Sequence, residues 1–270
     1  MVSITDNELK KLTDYIRANY GISMKEEKRV LITGRLYKAL EEKKFKSFSE
    51  YYDYILSDKT GEAVGTLTNN ITTNHTFFMR EVNHFHYFRD KVLPALRVKE
   101  KDFRIWSAGC STGEEPYTLA MILDEFFGRE KPLWDTKVLA TDLSGKVLEK
   151  AASGIYLNEE IASLPPQWKL NYFNSMDSQK SVMIDKIKNE VIFRRLNLME
   201  KSFPFRKKFH VIFCRNVMIY FDAQTKMELV QKFYDHMEPG GLLFIGHSET
   251  LNRDETNFSY VMPAVYRKEK

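Results

Sequence analysis

Cysteine is scarce in this sequence: Cys110 and Cys214 are the only two among 270 residues. Each lies at the end of an apolar stretch of the kind that forms a buried strand, so we expect reduced thiols rather than a disulfide bond. No histidine pattern accompanies them, which excludes a zinc site of the usual spacing, and we predict no metal site elsewhere.

Long apolar runs are also missing. No run approaches the ~20 consecutive apolar residues that cross a bilayer, so we expect no membrane insertion. The first residues, Met1–Asp6, have neither the basic nor the apolar region of a signal peptide. Together with the reduced cysteines, this favours a cytoplasmic protein.

A large excess of charge of either sign is absent as well. The 41 basic and 37 acidic residues leave a net charge of +4. This balance does not suit a protein that coats nucleic acid, so we expect no nucleic-acid partner and only local basic surfaces. With 43% hydrophobic residues, the chain can form the core of one large domain or of a large domain and a small one.

The segment Trp106–Ala120 is a short apolar run followed by small residues and then by helical spacing, which predicts a strand, a tight turn and a helix. Gly109 and Gly113 allow the backbone to pass close to a ligand. The turn lacks a phosphate-binding glycine pattern, and Glu114 and Glu115 after it would repel a pyrophosphate. S-adenosylmethionine, which carries cations and hydroxyls, suits it better. The alternative is an ordinary turn with acidic residues at the helix start.

A second apolar stretch, Asp135–Asp142, predicts a buried strand that ends in an acid, and helical spacing follows from Ser144 to Ala152. Alternating strands and helices predict a doubly wound parallel sheet, which binds ligands at the carboxyl ends of its strands. In that position Asp142 would accept hydrogen bonds from ribose hydroxyls. It could instead only cap the next helix.

The first 72 residues predict a small all-α unit of four helices, the first of which begins at a capping box of Thr5 and Glu8. The second helix, over residues 25 to about 44, has more basic than acidic residues, which indicates either a solvated face or a docking surface. Further along, Ser181–Ile187 and Glu190–Leu196 predict a β-hairpin inserted in the α/β pattern.

Four stretches resemble, in order along the chain, the motifs of the chemotaxis receptor glutamate methyltransferases of the CheR type. They are Asn74–Arg80, Trp106–Tyr117, Cys214–Phe221 and Gly246–Glu249. The resemblance spans nearly the whole chain, and four motifs in order with matching spacings make it specific. It implies an all-α N-terminal domain at residues 1–72, a segment at 73–102 that contributes to the cofactor site, and an α/β domain at 103–270. That last domain would have the Rossmann-like fold of class I S-adenosylmethionine-dependent methyltransferases, with a seven-stranded, mostly parallel sheet and a small antiparallel β-subdomain at about 178–196.

The resemblance also implies a reaction and its site. The methyl group would pass from S-adenosylmethionine, leaving S-adenosylhomocysteine, to glutamate side chains on the cytoplasmic helices of methyl-accepting receptors, for adaptation in bacterial chemotaxis. Together with Gly109 from the turn, the residues that the resemblance assigns to the cofactor are Asn74, Thr76, Arg80, Glu114, Asp142, Asn197, Leu198, Arg215 and Asn216.

A glutamate side chain is already an anion at neutral pH, so its attack on the sulfonium methyl needs no general base. Catalysis should therefore come mainly from alignment in a dewatered pocket. Arg80 and Tyr220 are the candidates for holding the incoming carboxylate, by charge and by a phenolic hydrogen bond. Arg80 could hold the carboxylate of the cofactor instead, and Tyr220 could be a core residue.

Receptor methylation helices are acidic, so in this interpretation the basic second helix becomes a docking surface, with Lys28, Arg29 and Arg35 as its contacts. Tethering to a receptor C-terminal peptide is doubtful. Some family members hold that peptide with a glycine-rich loop, whereas residues 174–189 of this chain contain no glycine.

Other functions stay open from the sequence. A module of this kind could bind S-adenosylmethionine for docking or sensing without transferring the methyl group, or the enzyme could methylate another protein. A nucleic-acid amino-methyltransferase would need a Pro-Pro-aromatic motif where this chain has Arg215–Tyr220, so the sequence disfavours that function.

Overall fold

The computed structural model describes residues 4–23, 29–72, 75–95 and 101–269. Up to residue 72, the described helices are α1 (Asp6–Tyr20), α2 (Arg29–Lys43), α3 (Phe48–Ser57) and α4 (Glu62–Ile71). The predicted capping box is confirmed, because the Thr5 hydroxyl accepts a hydrogen bond from the Glu8 N–H and the Glu8 carboxylate accepts one from the Thr5 N–H. Residues 24–28, where the second helix was expected to begin, lie outside the described residues.

The rest of the chain alternates between strands and helices. The strands are β1 (Ile105–Ala108), β2 (Val138–Asp142), β3 (Ile155–Leu157), β4 (Phe173–Ser175), β5 (Lys180–Met183), β6 (Val191–Arg195), β7 (Phe209–Cys214), β8 (Met237–Ile245), β9 (Phe258–Met262) and β10 (Val265–Lys268). The α-helices are α5 (Val82–Tyr87), α6 (Glu114–Phe127), α7 (Gly145–Ser153), α8 (Pro166–Tyr172), α9 (Asp185–Lys188) and α10 (Ala223–Asp235). A π-helical turn, Phe88–Val92, extends α5.

Seven of these strands form one sheet in the order β6-β2-β1-β7-β8-β10-β9. The first five strands in this order, β6, β2, β1, β7 and β8, are parallel to one another. β10 is antiparallel to both of its neighbours, β8 and β9. The predicted seven-stranded, mostly parallel sheet is therefore confirmed. The chain leaves β1 toward β2 on one side and later returns to β7 on the other side, which creates a crevice at the carboxyl ends of β1 and β7.

The predicted hairpin is wrong. β5 pairs antiparallel with β3 and β4 in a separate three-stranded sheet. Residues 185–188 are helical, and β6 is a parallel edge strand on β2. The small antiparallel sheet therefore lies between residues 155 and 183 rather than at about 178–196. A short apolar alternation predicts a strand but not its partner, because pairing is decided by tertiary contacts.

Apolar side chains cover both faces of the large sheet. One cluster includes Ile105 and Phe213, and a second, on the other face, includes Trp106 and Ile212, as expected from the alternation of side chains along a strand. Cys110 and Cys214 are both buried and free. Among the described helices, none has the length and apolar character needed to span a bilayer.

The helical unit formed by α1–α4 has its own apolar core, which also packs against Tyr220 and Phe221 in the segment that follows β7. Ile22 pairs with Phe221 in an isolated antiparallel bridge. The Asn69 amide in α4 donates to the Ser144 hydroxyl at 2.8 Å. These contacts place the helical unit over the crevice.

Candidate active site

A cavity lies between the carboxyl ends of four parallel strands and the helical unit. On the sheet side it is lined by residues 109–111 after β1, 142–143 at the end of β2, 196–198 after β6 and 215–217 after β7. On the helical side it is lined by Tyr20, Ile22, Thr68, Asn69 and Thr72. This is the ligand-binding edge of a doubly wound sheet, here covered by a second unit.

Most of the predicted site residues meet at this cavity. Those that line it are Thr76, Arg80, Gly109, Asp142, Asn197, Leu198, Arg215, Asn216 and Tyr220. Asn74 lies outside the described residues. Sequence reasoning missed the helical-side residues, because no local pattern reveals which residues of one unit face another.

Glu114 is not among the described residues that line the cavity, whereas Glu115 is. Glu114 is buried, and both of its carboxylate oxygens accept from the Thr112 hydroxyl at 2.8 Å. Burial raises the pKa of Glu114, although the hydrogen bond from Thr112 opposes that shift. Consecutive helical residues point about 100° apart, so a pair of acids at a helix start leaves open which one faces the crevice. The predicted contact of Glu114 with the cofactor stays a prediction.

The turn between β1 and α6 depends on its glycines. Gly109 has φ +83° and Gly113 has φ +97°, a region that side chains rarely adopt. A Cβ on Gly109 would collide with Val217, and one on Gly113 would lie 2.9 Å from the Ala151 Cβ. Glycine is therefore required at these two positions by neighbouring side chains of the protein, Val217 and Ala151, and not only by a ligand. Gly109 also lines the cavity.

Asp142 connects the ends of β1 and β2. Its Oδ2 accepts the Ser111 N–H at 2.9 Å and its Oδ1 accepts the Ser144 N–H at 3.0 Å. Burial raises the pKa of Asp142, and these N–H groups, with that of Leu143, oppose the rise. A carboxylate offers about four acceptor positions, so Asp142 can hold the turn and still accept hydrogen bonds from ribose hydroxyls.

Arg215 is the centre of a buried ionic network. Its side chain is 3% exposed. Its Nη1 donates to Glu115 Oε2 at 2.9 Å, and its Nη2 and Nε donate to Glu81 Oε2 at 3.1 and 3.3 Å. Burial by itself would raise the pKa of Glu81, but Arg215, the His247 N–H and the Asn216 amide outweigh it, and the pKa is lowered. The charge of Arg215 is therefore compensated by two carboxylates.

The cavity is lined by charged groups of both signs. Among the described residues that line it, the carboxylates are Glu115 and Asp142, and the guanidinium groups are Arg80 and Arg215. The charge of Arg215 is already compensated by Glu81 and Glu115. A ligand with both cationic and anionic groups can therefore find a partner of opposite charge here.

Arg80 and Tyr220 both border the cavity. The Arg80 Nη1 donates to the backbone carbonyl of His75. Tyr220 ends a short 3₁₀-helix, Met218–Tyr220, and its carbonyl accepts the Ser23 N–H at 2.7 Å. Tyr220 also packs against the core of the helical unit. Its place at the cavity is compatible with the predicted catalytic role. Its packing is compatible with the alternative, in which Tyr220 is a core residue.

The predicted docking residues are described only in part. Lys28 and the side chain of Arg29 lie outside the described part of the chain. The Arg35 Nη1 lies 3.2–3.5 Å from the carbonyl oxygens of Asn70, Ile71 and Thr72 at the end of α4. A guanidinium suits a helix C-terminus, where unpaired carbonyls carry partial negative charge. Arg35 therefore connects α2 to α4, in addition to any contact with a partner.

Glu81, His84 and His247 bring a carboxylate and two imidazoles within 4.8 Å of one another. The Glu81 carboxylate, however, already accepts hydrogen bonds from Arg215, Asn216 and the His247 N–H. A metal ion here would lie beside the Arg215 guanidinium and be repelled by it. The absence of a metal site stays a prediction from the sequence.

Comparison with known proteins gives matches over almost the whole chain. Residues 7–72 match the family description "CheR methyltransferase, all-alpha domain", and residues 74–266 match "CheR methyltransferase, SAM binding domain". A chemotaxis protein methyltransferase of Borreliella burgdorferi is 43% identical over 272 residues, which covers 99% of this chain and 96% of that protein. The chemotaxis protein methyltransferase of Escherichia coli (strain K12) is 35% identical over 272 residues, covering 100% of this chain and 93% of that protein.

Proposed function

Because the chain belongs to the CheR methyltransferase family, we propose that it forms methyl esters on glutamate side chains in the cytoplasmic helices of methyl-accepting chemotaxis receptors. Its cofactor is S-adenosylmethionine. The observation that carries the proposal is the cavity at the carboxyl ends of the strands, where the carboxylates of Glu115 and Asp142 suit the cations and hydroxyls of the cofactor and the Arg80 guanidinium suits an anionic acceptor.

The proposal divides the work among three parts of the chain. Residues 1–72 dock the receptor and cover the cavity. Residues 73–102 connect the two units and contribute Arg80. Residues 103–270 bind the cofactor. The enzyme then acts in the cytoplasm, on the receptor segments that face it.

The cofactor-binding residues have separate tasks in this proposal. Asp142 accepts hydrogen bonds from the ribose hydroxyls, and Asn197 with Leu198 covers the adenine by amide and aliphatic contacts. Glu114 is the partner of the α-ammonium that the family resemblance implies, and Glu115, which lines the cavity, is a second candidate. When bound, S-adenosylmethionine supplies a methyl group activated by the positive charge on sulfur.

The remaining task of the protein is to hold the acceptor. The glutamate enters as an anion, so no side chain has to remove a proton. Arg80 pairs with the carboxylate and Tyr220 donates a hydrogen bond to it, which aligns one carboxylate oxygen with the methyl carbon. The helical-side residues, such as Thr68 and Thr72, exclude water from the cavity, and a desolvated carboxylate is a stronger nucleophile.

A labelling experiment tests the proposal. The full chain is incubated with methyl-labelled S-adenosylmethionine and membranes that contain the receptors, and the receptor is then treated with base. Label released as methanol is expected, because glutamyl methyl esters are base-labile. Cofactor binding without transfer would instead support a docking or sensing module. Label that survives base would mean that another group is methylated, and either result would contradict the proposal.

A further inference from the structure

The fourth sequence motif, Gly246–Glu249, lies outside the cavity, since none of its residues is among the described residues that line it. The motif follows β8 and packs against the turn Arg215–Tyr220, which follows β7 and does line the cavity. Glu249 is 5% exposed, and its carboxylate makes the contact between the two segments.

Glu249 accepts backbone N–H groups from both segments. Its Oε2 accepts those of Asn216, at 3.0 Å, and of Gly246, and its Oε1 accepts that of Ile219 at 3.0 Å. Backbone N–H groups that no other main-chain carbonyl accepts need such partners. One carboxylate therefore holds the path of the backbone from Asn216 to Ile219. Burial raises the pKa of Glu249, and the N–H groups that it accepts oppose the rise.

The turn that Glu249 holds is strained and tightly enclosed. Asn216 has φ +60°, in the left-handed region that favours glycine. A Cβ on Gly246 would lie 2.8 Å from the backbone nitrogen of Asn216 and 2.9 Å from Glu249 Oε2. Only glycine therefore allows the backbone at residue 246 to come this close to Asn216 and Glu249. Glu81 Oε1 also accepts the Asn216 side-chain amide at 3.2 Å and the His247 N–H at 3.1 Å. Strain of this kind persists only where surrounding contacts hold it.

We propose that Glu249 is a positioning residue for methyl transfer, which fixes the Asn216–Tyr220 turn so that Asn216 faces the cofactor and Tyr220 faces the acceptor. The inference rests on the function proposed above. Glu249 itself touches neither ligand, and it acts through the backbone that carries the two cavity-lining residues.

The first test compares Glu249→Gln with the wild-type chain. The amide keeps the size of the side chain but turns an NH₂ group toward backbone N–H donors. At saturating cofactor we expect kcat to fall roughly 10- to 100-fold, and the affinity for S-adenosylhomocysteine to fall about tenfold. Asp124→Asn is the matched control. Asp124 is also buried and accepts from Lys186 and Tyr172 away from the cavity, so kcat and affinity should stay unchanged there.

A double-mutant cycle separates positioning from a merely structural role. Tyr220→Phe should lower kcat in the wild-type chain and in Asp124→Asn, but much less in Glu249→Gln, because Tyr220 is already displaced there. Glu249→Asp keeps both acceptor oxygens and should recover part of the activity, and it replaces Glu249→Gln in the cycle if the amide variant does not fold.

Two results would overturn the inference: wild-type kcat and affinity in Glu249→Gln, or independent effects of Glu249→Gln and Tyr220→Phe. A wild-type chain that methylates no receptor would contradict the proposed function instead. The affinity for S-adenosylhomocysteine needs no acceptor, and it would still decide whether Glu249 positions Asn216.

Discussion

Asp142 shows how one side chain serves both the fold and the site. Its carboxylate accepts N–H groups from the turn after β1 and from the start of α7, and it also lines the cavity. The sequence left open whether this acid caps a helix or binds ribose. The geometry is compatible with both, since these N–H groups, with that of Leu143, do not use all of the roughly four acceptor positions of a carboxylate.

We expect Asp142→Ala to weaken S-adenosylhomocysteine binding by about tenfold or more, because the ribose hydroxyls lose their acceptor. Calorimetric titration of the folded variant measures the change. Asp124→Asn, with an altered carboxylate away from the cavity, should bind as the wild-type chain does. An unchanged affinity in Asp142→Ala would refute the ribose role.

His84 makes stability depend on pH. It is fully buried, and burial, with the charges of Arg215 and His247, lowers its pKa to about 4. An unfolded histidine has a pKa of about 6.5. Between these two values the unfolded chain binds a proton that the folded chain does not, so this contribution to stability is lost as the pH falls from about 6.5 to about 4.

The corresponding prediction uses His84→Gln, with the exposed His86→Gln as control. The wild-type chain and His86→Gln should lose roughly 2–3 kcal/mol more of their free energy of unfolding between neutral pH and pH 4.5 than His84→Gln does. Denaturant unfolding near neutral pH and near pH 4.5 measures the difference. Equal losses in all three proteins would show that His84 does not titrate as expected.

At the scale of elements, helices were easier to predict than strand partners. The capping box of α1, its apolar spacing and the glycine at its end all lie within one stretch of sequence, and the structure confirms each of them. β6 has an equally clear strand pattern, but its partner β2 lies about fifty residues earlier in the chain. The same pattern fits a hairpin and a parallel edge strand, so the sequence favoured the wrong one.

The end of α1 also gives a stability prediction with a control in α2. Gly21 has φ +70°, and a Cβ there would collide with Met199 and lie 2.8 Å from the Thr225 Cγ2. Gly34 lies inside α2, and a Cβ added there would have nothing within 4 Å. Gly21→Ala should therefore reduce the free energy of unfolding by ~1–3 kcal/mol. Gly34→Ala should increase it by ~0.5–1 kcal/mol. Thermal and denaturant unfolding measure both variants against the wild-type chain. A Gly21→Ala variant more stable than the wild-type chain would contradict the close packing of Gly21 against Met199 and Thr225.

At the scale of the whole molecule, the helical unit has two separate roles. Its inner side lines the cavity through residues such as Thr68 and Asn69, and its basic helix is the proposed docking surface. Arg35 belongs in part to the fold, because its guanidinium lies on the carbonyls at the end of α4. Lys28 and Arg29 are therefore better positions than Arg35 for a test of docking.

We expect Lys28→Glu with Arg29→Glu to slow receptor methylation at least tenfold and to weaken its salt dependence, since attraction to acidic receptor helices is lost. The affinity for S-adenosylhomocysteine should not change. The control reverses two exposed lysines at the amino ends of strands, Lys137→Glu with Lys208→Glu, which changes the net charge equally on the side away from the cavity. If both pairs behave alike, net charge rather than a docking surface governs the rate.

The sequence by itself determined α1 with its caps, the strand–turn–helix segment around Gly109, the acid at the end of β2 and the family motifs, because each depends on residues that are close along the chain. Tertiary structure alone decided that β6 is an edge strand, that Glu115 lines the cavity, and that Glu81 and Glu249 hold the turn after β7. The partners Arg215 and Glu81 are 134 residues apart, and Asn216 and Glu249 are 33 apart. Local periodicity carries no information about such pairs, since they meet only when the sheet places the carboxyl ends of its strands together.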